Sequence, residues 1–214
     1  MPDYFPALLD LRGRRCLVVG GGPVGERKVH ALLTCGASVS VVSPRLTPAL
    51  AALAAAGRIA HRPRPFRRAD VTGVLLVLVA TGVPHVDRAV AAEARRRRAL
   101  VNVADTPALC DFILPSVLRR GGLQVAVSTG GRSPALAREV RKHLERVLGP
   151  EYAALVARVG HARARVRALA ATPAARLAAG ERVVAQALAE FGAPGAAPAP
   201  PSSEADRTDL VPSS

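Results

Sequence analysis

The sequence has no tryptophan, and aromatic residues make up only 3% of its 214 residues. Proteins that bind single-stranded nucleic acid use aromatic side chains as stacking surfaces. Their scarcity argues against this function, although the formal net charge is +14. Nearly all of the positive charge is arginine, since lysine occurs only at positions 28 and 142. This bias, with abundant alanine, glycine and proline, is typical of a GC-rich coding sequence, so we expect solvated surface arginines or a polyanionic small substrate.

Cysteine pairs and long apolar runs are also lacking. Cys16, Cys35 and Cys110 are an odd number of cysteines without CxxC spacing, which argues against a disulfide framework and a structural zinc site. The longest apolar run, Val74 to Ala80, is much shorter than the roughly 18 residues of a membrane span. The first ten residues contain two aspartates and no basic residue, unlike a signal peptide. We therefore expect a cytoplasmic protein with reduced thiols and no membrane partner.

Strand and helix patterns alternate over the first hundred residues. Short apolar runs predict strands at 16–19, 39–42, 74–80 and 100–103, with a weaker strand at 59–62. Helical patterns lie between them at 23–33, 46–56 and 84–98. This alternation predicts an α/β fold in which residues 1–114 form a Rossmann-type domain with a parallel, doubly wound sheet.

The pattern changes after residue 105. Strand-like runs at 116–120 and 123–128, joined by two glycines, predict an antiparallel hairpin. A helix then begins at Ser133-Pro134, with Ser133 as its N-cap, and continues to about residue 148. We expect residues 115–150 to form a hairpin–helix segment and residues 151–192 a small helical domain, broken near Thr172-Pro173. Residues 193–214 are rich in proline, alanine and serine, and we expect them to be disordered.

The most informative local motif is the glycine-rich turn from Gly20 to Gly25. Gly20, Gly22 and Gly25 form the pattern G-x-G-x-x-G directly after an apolar strand and at the start of a helix. Such glycines allow a tight turn, close approach of the backbone to a pyrophosphate, and close packing of helix on strand. The context favours dinucleotide binding over a glycine turn without a ligand.

The end of the second predicted strand does not distinguish NAD from NADP. An acidic residue that binds the adenosine ribose is expected about 20 residues after the glycines, but Ser43, Pro44 and Arg45 stand there instead. Ser43 can hydrogen-bond a ribose hydroxyl. Arg45 either pairs with the 2′-phosphate of NADP or is a solvated arginine.

Two further loops carry residues suited to chemistry. Asp105 follows the strand at 100–103, at the sheet edge where ligands bind, and is a candidate acid or base. Its structural alternative is an Asx turn before Pro107. The hydroxyl- and glycine-rich loop from Ser128 to Pro134 leads into a helix and is suited to carboxylates or phosphates, with helix capping alone as the alternative.

Taken in order, several segments of the chain resemble a known family. They look like the precorrin-2 dehydrogenase (sirohydrochlorin-forming) part of sirohaem synthase, over about residues 3–190. The matching segments are Pro6 to Arg14, Val18 to Gly25, Glu26 to Lys28, Asn102 to Asp105, Asp111 to Ser116, Arg120-Gly121 and Val127 to Pro134.

This resemblance implies an enzyme that oxidises precorrin-2 to sirohydrochlorin with NAD as cofactor. In some members the same protein also inserts ferrous iron as a ferrochelatase. The family's architecture implies a homodimer formed through the segment at 115–150. Since no second G-x-G-P-G motif of a methyltransferase domain follows, we expect the stand-alone dehydrogenase. An alternative from another class is an NAD-sensing module without catalysis.

The resemblance also assigns roles to individual residues. It implies that Asp105 is the catalytic carboxylate, and no metal ligands are expected. The cofactor-binding residues it implies are Gly20, Gly22, Pro23, Val24, Gly25, Ser43, Pro44 and Thr81. The substrate-binding residues are Ser128, Gly130, Arg132 and Ser133. A basic cleft would attract the polycarboxylate tetrapyrrole, and the arginines expected there are Arg119, Arg120, Arg132, Arg138 and Arg141.

Overall fold

A computed structural model of the protein describes residues 4–169 and 172–191. The chain divides into two compact units, each of which is built from separate stretches of sequence. Within the described residues, the first unit comprises 4–115 and 128–137, and the second comprises 116–127 and 138–191. The segment 193–214, for which we predicted disorder, lies outside the described residues.

The first unit contains a five-stranded sheet in the order β3-β2-β1-β4-β5, and every neighbouring pair is parallel. Its strands are β1 (Arg15–Val19), β2 (Ser38–Val42), β3 (Ala60–Arg62), β4 (Leu76–Val79) and β5 (Leu100–Val103). Its helices are α1 (Pro23–Thr34), α2 (Pro48–Ala55) and α3 (Pro84–Arg96), with short 3-10 turns at Arg68–Val71 and Pro107–Leu109. The predicted Rossmann-type α/β fold is therefore confirmed.

The central strands are buried because both faces of the sheet carry a core. Along β1, Val18 packs into one core together with Val29 of α1, whereas Leu17 packs into the other with Val90 of α3. These four side chains are fully buried. Alternate residues of a strand point to opposite faces, so a strand covered on both sides reads as a continuous apolar run. This explains why β4 is apolar throughout and why β1 is apolar after its exposed first residue, Arg15.

The second unit is a hairpin with helices. Strands β6 (Ser116–Arg120) and β7 (Leu123–Val127) pair antiparallel, as predicted. Helix α4 (Pro134–Val147) begins in the first unit and continues in the second, which also contains α5 (Tyr152–Leu169) and α6 (Pro173–Phe191). The rings of Tyr152 and Phe191 join the last two helices edge to face, with centroids 4.9 Å apart. In the described part of the chain, no helix has both the length and the apolar character needed to cross a bilayer.

Candidate dinucleotide-binding site

An open cleft of about 680 Å³ lies in the first unit, at the carboxyl ends of β1, β2 and β4. The turn from Gly20 to Gly22, the segment from Ser43 to Thr47, and Thr81 line it, together with the loop from Arg64 to Phe66. In open parallel sheets, ligands bind outside the carboxyl ends of the strands, where the strand order reverses. Here that reversal lies between β1 and β4.

Close packing requires glycine at both ends of the turn, at Gly20 and at Gly25. Gly20 has φ +114°, and a Cβ there would lie 2.3 Å from the carbonyl oxygen of Ala80. A Cβ at Gly25 would lie 2.1 Å from the carbonyl oxygen of Gly20. Only glycine fits at either position, and the result is that the first turn of α1 lies directly against the end of β1.

Gly22 differs, because its surroundings are open. It is the N-cap of α1 with an extended backbone, no side-chain capping bond forms there, and a Cβ would meet nothing within 4 Å. The first N–H groups of a helix lack intrahelical partners, so this end of α1 can receive an anion. The space above this turn is open, as close approach of an anionic group to the helix N-terminus requires.

Gly21 was not singled out by the G-x-G-x-x-G pattern, yet it holds the two sides of the cleft together. A Cβ at Gly21 would lie 2.2 Å from the carbonyl oxygen of Arg45, and the Gly21 carbonyl accepts a 2.9 Å hydrogen bond from the Thr47 amide. The run of three consecutive glycines was the sequence signal for this close approach.

The β2 side of the cleft contains the predicted ribose-binding residues. The Ser43 hydroxyl donates a 2.7 Å hydrogen bond to the carbonyl of Arg45, and His61 Nε2 lies 2.9 Å from the Ser43 carbonyl. These bonds leave the lone pairs of Ser43 Oγ available to accept a hydrogen bond from a ligand. Pro44 and Arg45 are exposed where they line the cleft.

Arg64 is a cleft residue that sequence reasoning missed. Two of its N–H groups donate to the two oxygens of Asp70, at 2.9 Å and 2.6 Å. Asp70 is 4% exposed and also accepts hydrogen bonds from Arg62 and from the Arg67 amide. Burial alone would raise the pKa of Asp70, but these bonds hold it at about 2. The ionised carboxylate thus fixes a guanidinium beside the cleft.

Thr81, one of the residues predicted to bind the cofactor, lines the cleft, and its hydroxyl also organises the start of α3. It donates to the buried Asp87 carboxylate and accepts a 3.0 Å hydrogen bond from the Val83 amide. The loop after β4 is therefore held in shape by Thr81.

Asp105, the candidate acid or base, lies in the turn after β5 and is exposed. Its backbone is left-handed, with φ 56°, a conformation that aspartate tolerates better than most residues. The alternative Asx turn is not formed, since it needs the amide of the residue two positions on, and Pro107 has none. Among the described residues no donor hydrogen-bonds to this carboxylate.

The half-buried thiol of Cys110 holds the Asp105 loop in place. Its Sγ accepts a 3.2 Å hydrogen bond from the Val103 amide and lies 3.3 Å from the Val103 carbonyl and 3.4 Å from that of Thr106. Asn102 of β5 is contacted from helix α1, where Lys28 Nζ donates a 2.9 Å hydrogen bond to Asn102 Oδ1. Neither residue was assigned a role from sequence.

The second predicted loop is organised by its own hydroxyls. Ser128 Oγ accepts from the Gly130 amide at 3.1 Å, and Thr129 Oγ1 accepts from the Ser133 amide at 2.9 Å. Ser133 Oγ accepts from the Leu136 amide at 3.1 Å, as expected of the N-cap. Arg132 is exposed. This loop and Asp105 are not among the residues that line the cleft.

Two arginines of the predicted basic cleft make contacts inside the second unit. Arg120 donates to the Leu148 carbonyl at 2.9 Å and to the Glu145 carbonyl at 3.2 Å. Arg141 pairs with the Glu145 side chain and donates to Ser116 Oγ. Over 4–169 and 172–191, no three His, Cys, Asp or Glu side chains form a group able to hold a metal ion.

A parallel sheet with a glycine cradle and an open helix N-terminus at its switch point defines a dinucleotide-binding protein of Rossmann type. Residues 7–116 match a family model described as "Putative NAD(P)-binding", and residues 120–146 match one described as "Sirohaem biosynthesis protein central". The chain belongs to this NAD(P)-binding family, and the resemblance to the precorrin-2 dehydrogenase part of sirohaem synthase is confirmed.

Curated relatives and a solved structure agree with this assignment. The chain is 48% identical over 166 residues to the siroheme synthase of Thioalkalivibrio sulfidiphilus, covering 78% of this chain and 34% of the relative. It is 40% identical over 195 residues to that of Methylococcus capsulatus, covering 91% and 41%. The chain thus spans about a third of the length of the first of these relatives. The structure of SirC, a precorrin-2 dehydrogenase, superposes with a TM-score of 0.69 at 25% identity, covering 86% of this chain and 98% of SirC.

Proposed function

We propose that this protein is an NAD-dependent dehydrogenase that oxidises precorrin-2 to sirohydrochlorin in sirohaem biosynthesis. The observation that carries the proposal is the glycine cradle at the start of α1, in a fold that matches SirC over 86% of the chain. The similarity to siroheme synthases supports the same substrate. Ferrous iron insertion into sirohydrochlorin is a second activity that we propose to test alongside the first.

The oxidation removes two electrons and two protons from the tetrapyrrole. Bound NAD supplies a hydride acceptor, which takes both electrons and one proton. The second proton needs a base, and we assign this role to Asp105. Its carboxylate is exposed and has no hydrogen-bond donor among the described residues, so it can accept a proton from the substrate and release it to water.

We assign the cofactor to residues of the cleft and its first helix, namely Gly20, Gly22, Pro23, Val24, Gly25, Ser43, Pro44 and Thr81. NAD is the expected dinucleotide because the family resemblance implies it. Arg45 and Arg64 also line the cleft, and their charges are compatible with a 2′-phosphate. Comparing kcat/KM with NAD and with NADP tests this choice, and a clear preference for NADP would contradict it.

The loop at 128–133 is the proposed binding site for the substrate carboxylates. Ser128 and Ser133 supply hydroxyls, Arg132 supplies an exposed guanidinium, and Gly130 has the left-handed φ of 65° that shapes the turn. An arginine can bind a carboxylate through two parallel hydrogen bonds. We further propose that the segment at 115–150 forms a homodimer interface and that residues 151–192 form a helical domain.

The deciding experiment supplies precorrin-2 and NAD, with and without ferrous iron, and follows absorbance. We expect oxidation by the wild type and a loss of about a hundred- to ten-thousand-fold in kcat for Asp105→Asn. Asparagine also tolerates the left-handed backbone, so NAD affinity and melting temperature should not change. Glu181→Gln, at an exposed carboxylate of α6, is the matched control and should remain active.

Two outcomes would contradict the proposal. Near-normal turnover by Asp105→Asn would mean that another group is the base. NAD binding by the wild type without oxidation of precorrin-2 would support an NAD-sensing module. If iron insertion is present and falls in parallel in Asp105→Asn, the same carboxylate serves both reactions.

A further inference from the structure

Lys28 is placed unlike an ordinary lysine on a helix surface. Its side chain is half-buried on α1, and its Nζ donates a 2.9 Å hydrogen bond to Oδ1 of Asn102 on β5. Asn102 is itself 8% exposed, and its Nδ2 donates a 3.0 Å hydrogen bond to the Phe112 carbonyl. The Asn102 amide is thus held at both ends, close to the point where β5 ends at Val103.

The proposed base follows this arrangement in the chain. Asp105 stands three residues after Asn102, and the negative charge of its carboxylate favours the protonated form of Lys28. Burial lowers the pKa of Lys28, with Arg27 of the same helix acting in that direction, whereas Cys110 and Asp105 oppose the shift. Three charged or titratable groups thus influence the Lys28 pKa. Arg27, on the same helix, lowers it, whereas Asp105 and Cys110, in the segment after β5, raise it.

The composition of the chain makes the lysine at this position informative. Only two of the 30 basic residues are lysines. The other, Lys142, is exposed and pairs with Glu139 at 2.9 Å. Arginine offers a planar fork of donors, whereas an ammonium is a compact point charge that loses its proton more readily when buried. Lys28 therefore supplies a compact charge at a half-buried position, and this charge can be lost within an accessible pH range.

We infer that Lys28 is a positioning residue for Asp105: its ammonium fixes Asn102 at the end of β5 and supplies a positive charge to the strand end that the proposed catalytic carboxylate follows. The inference rests on the proposed function for its effect on turnover. The coupling between Lys28 and Asp105 is a property of the protein alone, so it can be measured without substrate.

The two lysines allow a direct measurement. The full-length protein is labelled with ¹³C-lysine, and the two side-chain signals are followed by NMR as pH rises; Lys142→Met assigns them. In Asp105→Asn we expect Lys28 to lose its proton at a lower pH than in the wild type, because the carboxylate that stabilises the ammonium is gone. Cys110→Ser measures the contribution of the thiol separately. An unchanged Lys28 titration in Asp105→Asn overturns the inference.

The effect on turnover is tested with Lys28→Met, which keeps an apolar stem but has no charge or donor. We expect kcat to fall about a hundredfold, the cost of a misplaced reacting group, while the Kd for NAD is unchanged. Arg88→Met, at an exposed arginine of α3, is the matched control and should retain wild-type kcat. Full activity of Lys28→Met overturns the inference.

The pH profile separates positioning from packing. Wild-type activity should decline at alkaline pH as Lys28 loses its proton, and this decline should move to higher pH in Lys28→Arg, which stays charged. An unshifted decline contradicts the inference. If the NMR coupling is present but the wild type does not oxidise precorrin-2, the proposed function fails while the Lys28–Asp105 coupling stands.

Discussion

Substituting Gly22 by aspartate should separate protein stability from cofactor binding. Gly22 has φ −82° and ψ −175°, an extended backbone open to any residue, and a Cβ there meets nothing within 4 Å. The position is the N-cap of α1, where aspartate is preferred over glycine by a few tenths of a kcal/mol. A negative charge at a helix N-terminus adds about 0.3–1 kcal/mol. The melting temperature of Gly22→Asp should therefore equal or slightly exceed that of the wild type.

The same carboxylate should strongly weaken dinucleotide binding. It would occupy the space over the first turn of α1 where the pyrophosphate is expected to sit. Two like charges about 4 Å apart repel by about 4 kcal/mol at an effective dielectric constant of 20, which corresponds to a roughly thousandfold higher Kd. Calorimetric titration with NAD and thermal unfolding of the same samples measure the two effects.

Two further variants separate charge, size and folding. Gly22→Asn has the shape and capping ability of aspartate without its charge, so the difference in Kd between the two variants measures the repulsion. Gly25→Ala places a Cβ 2.1 Å from the Gly20 carbonyl, and it should lower both stability and affinity. A folded Gly22→Asp variant with the wild-type Kd for NAD would refute the assignment of this turn to the pyrophosphate.

Three further outcomes are expected. Because the folded pKa of Asp70, about 2, lies below its ordinary 3.8, the carboxylate stabilises the fold above pH 4 by up to about 2 kcal/mol. This stability is lost as pH falls towards 2. The free energy of unfolding in urea should therefore differ less between pH 7 and pH 3 in Asp70→Asn than in the wild type, and an equal difference in the two proteins would contradict this. Burial, and to a smaller extent Cys35, raises the pKa of the Cys16 thiol to about 11. Cys16 should therefore react with a thiol reagent at pH 8 more slowly than Cys110 does. Equal rates for the two thiols in the folded protein would be inconsistent with the burial of Cys16. Light scattering at micromolar concentration should give the mass of a homodimer, and a monomer would exclude the proposed interface.

Local pattern was sufficient to predict the elements of the sheet domain. Each strand of the first unit lies within two residues of its predicted bounds. The signal was strongest for the central strand β4, because a strand buried on both faces is apolar throughout. Pro23 and Pro84 marked where α1 and α3 begin, whereas α2 begins at Pro48, two residues after its predicted start. The short 3-10 turn at Arg68–Val71 was not predicted. It depends on Asp70, whose carboxylate binds backbone and arginines that no periodic pattern identifies.

The Asx turn considered as the alternative role of Asp105 could have been excluded from the sequence. The sequence already contained the reason why Asp105 does not form an Asx turn, since Pro107 has no amide hydrogen to donate. The exposed carboxylate and the left-handed backbone of Asp105 follow from the tight turn after β5, which Cys110 holds in place.

The alternation of strand and helix, the glycine cradle and its position at a helix N-terminus could all be predicted from local sequence, because each depends on residues close together in the chain. Contacts between distant side chains, in contrast, depend on how the chain folds. Lys28 and Asn102 are 74 residues apart, yet their side chains are 2.9 Å apart. Parallel strands need long crossovers, so neighbours across the sheet lie far apart in sequence. The contact between Lys28 of α1 and Asn102 of β5 therefore follows from the strand order β1-β4-β5, which no local motif encodes.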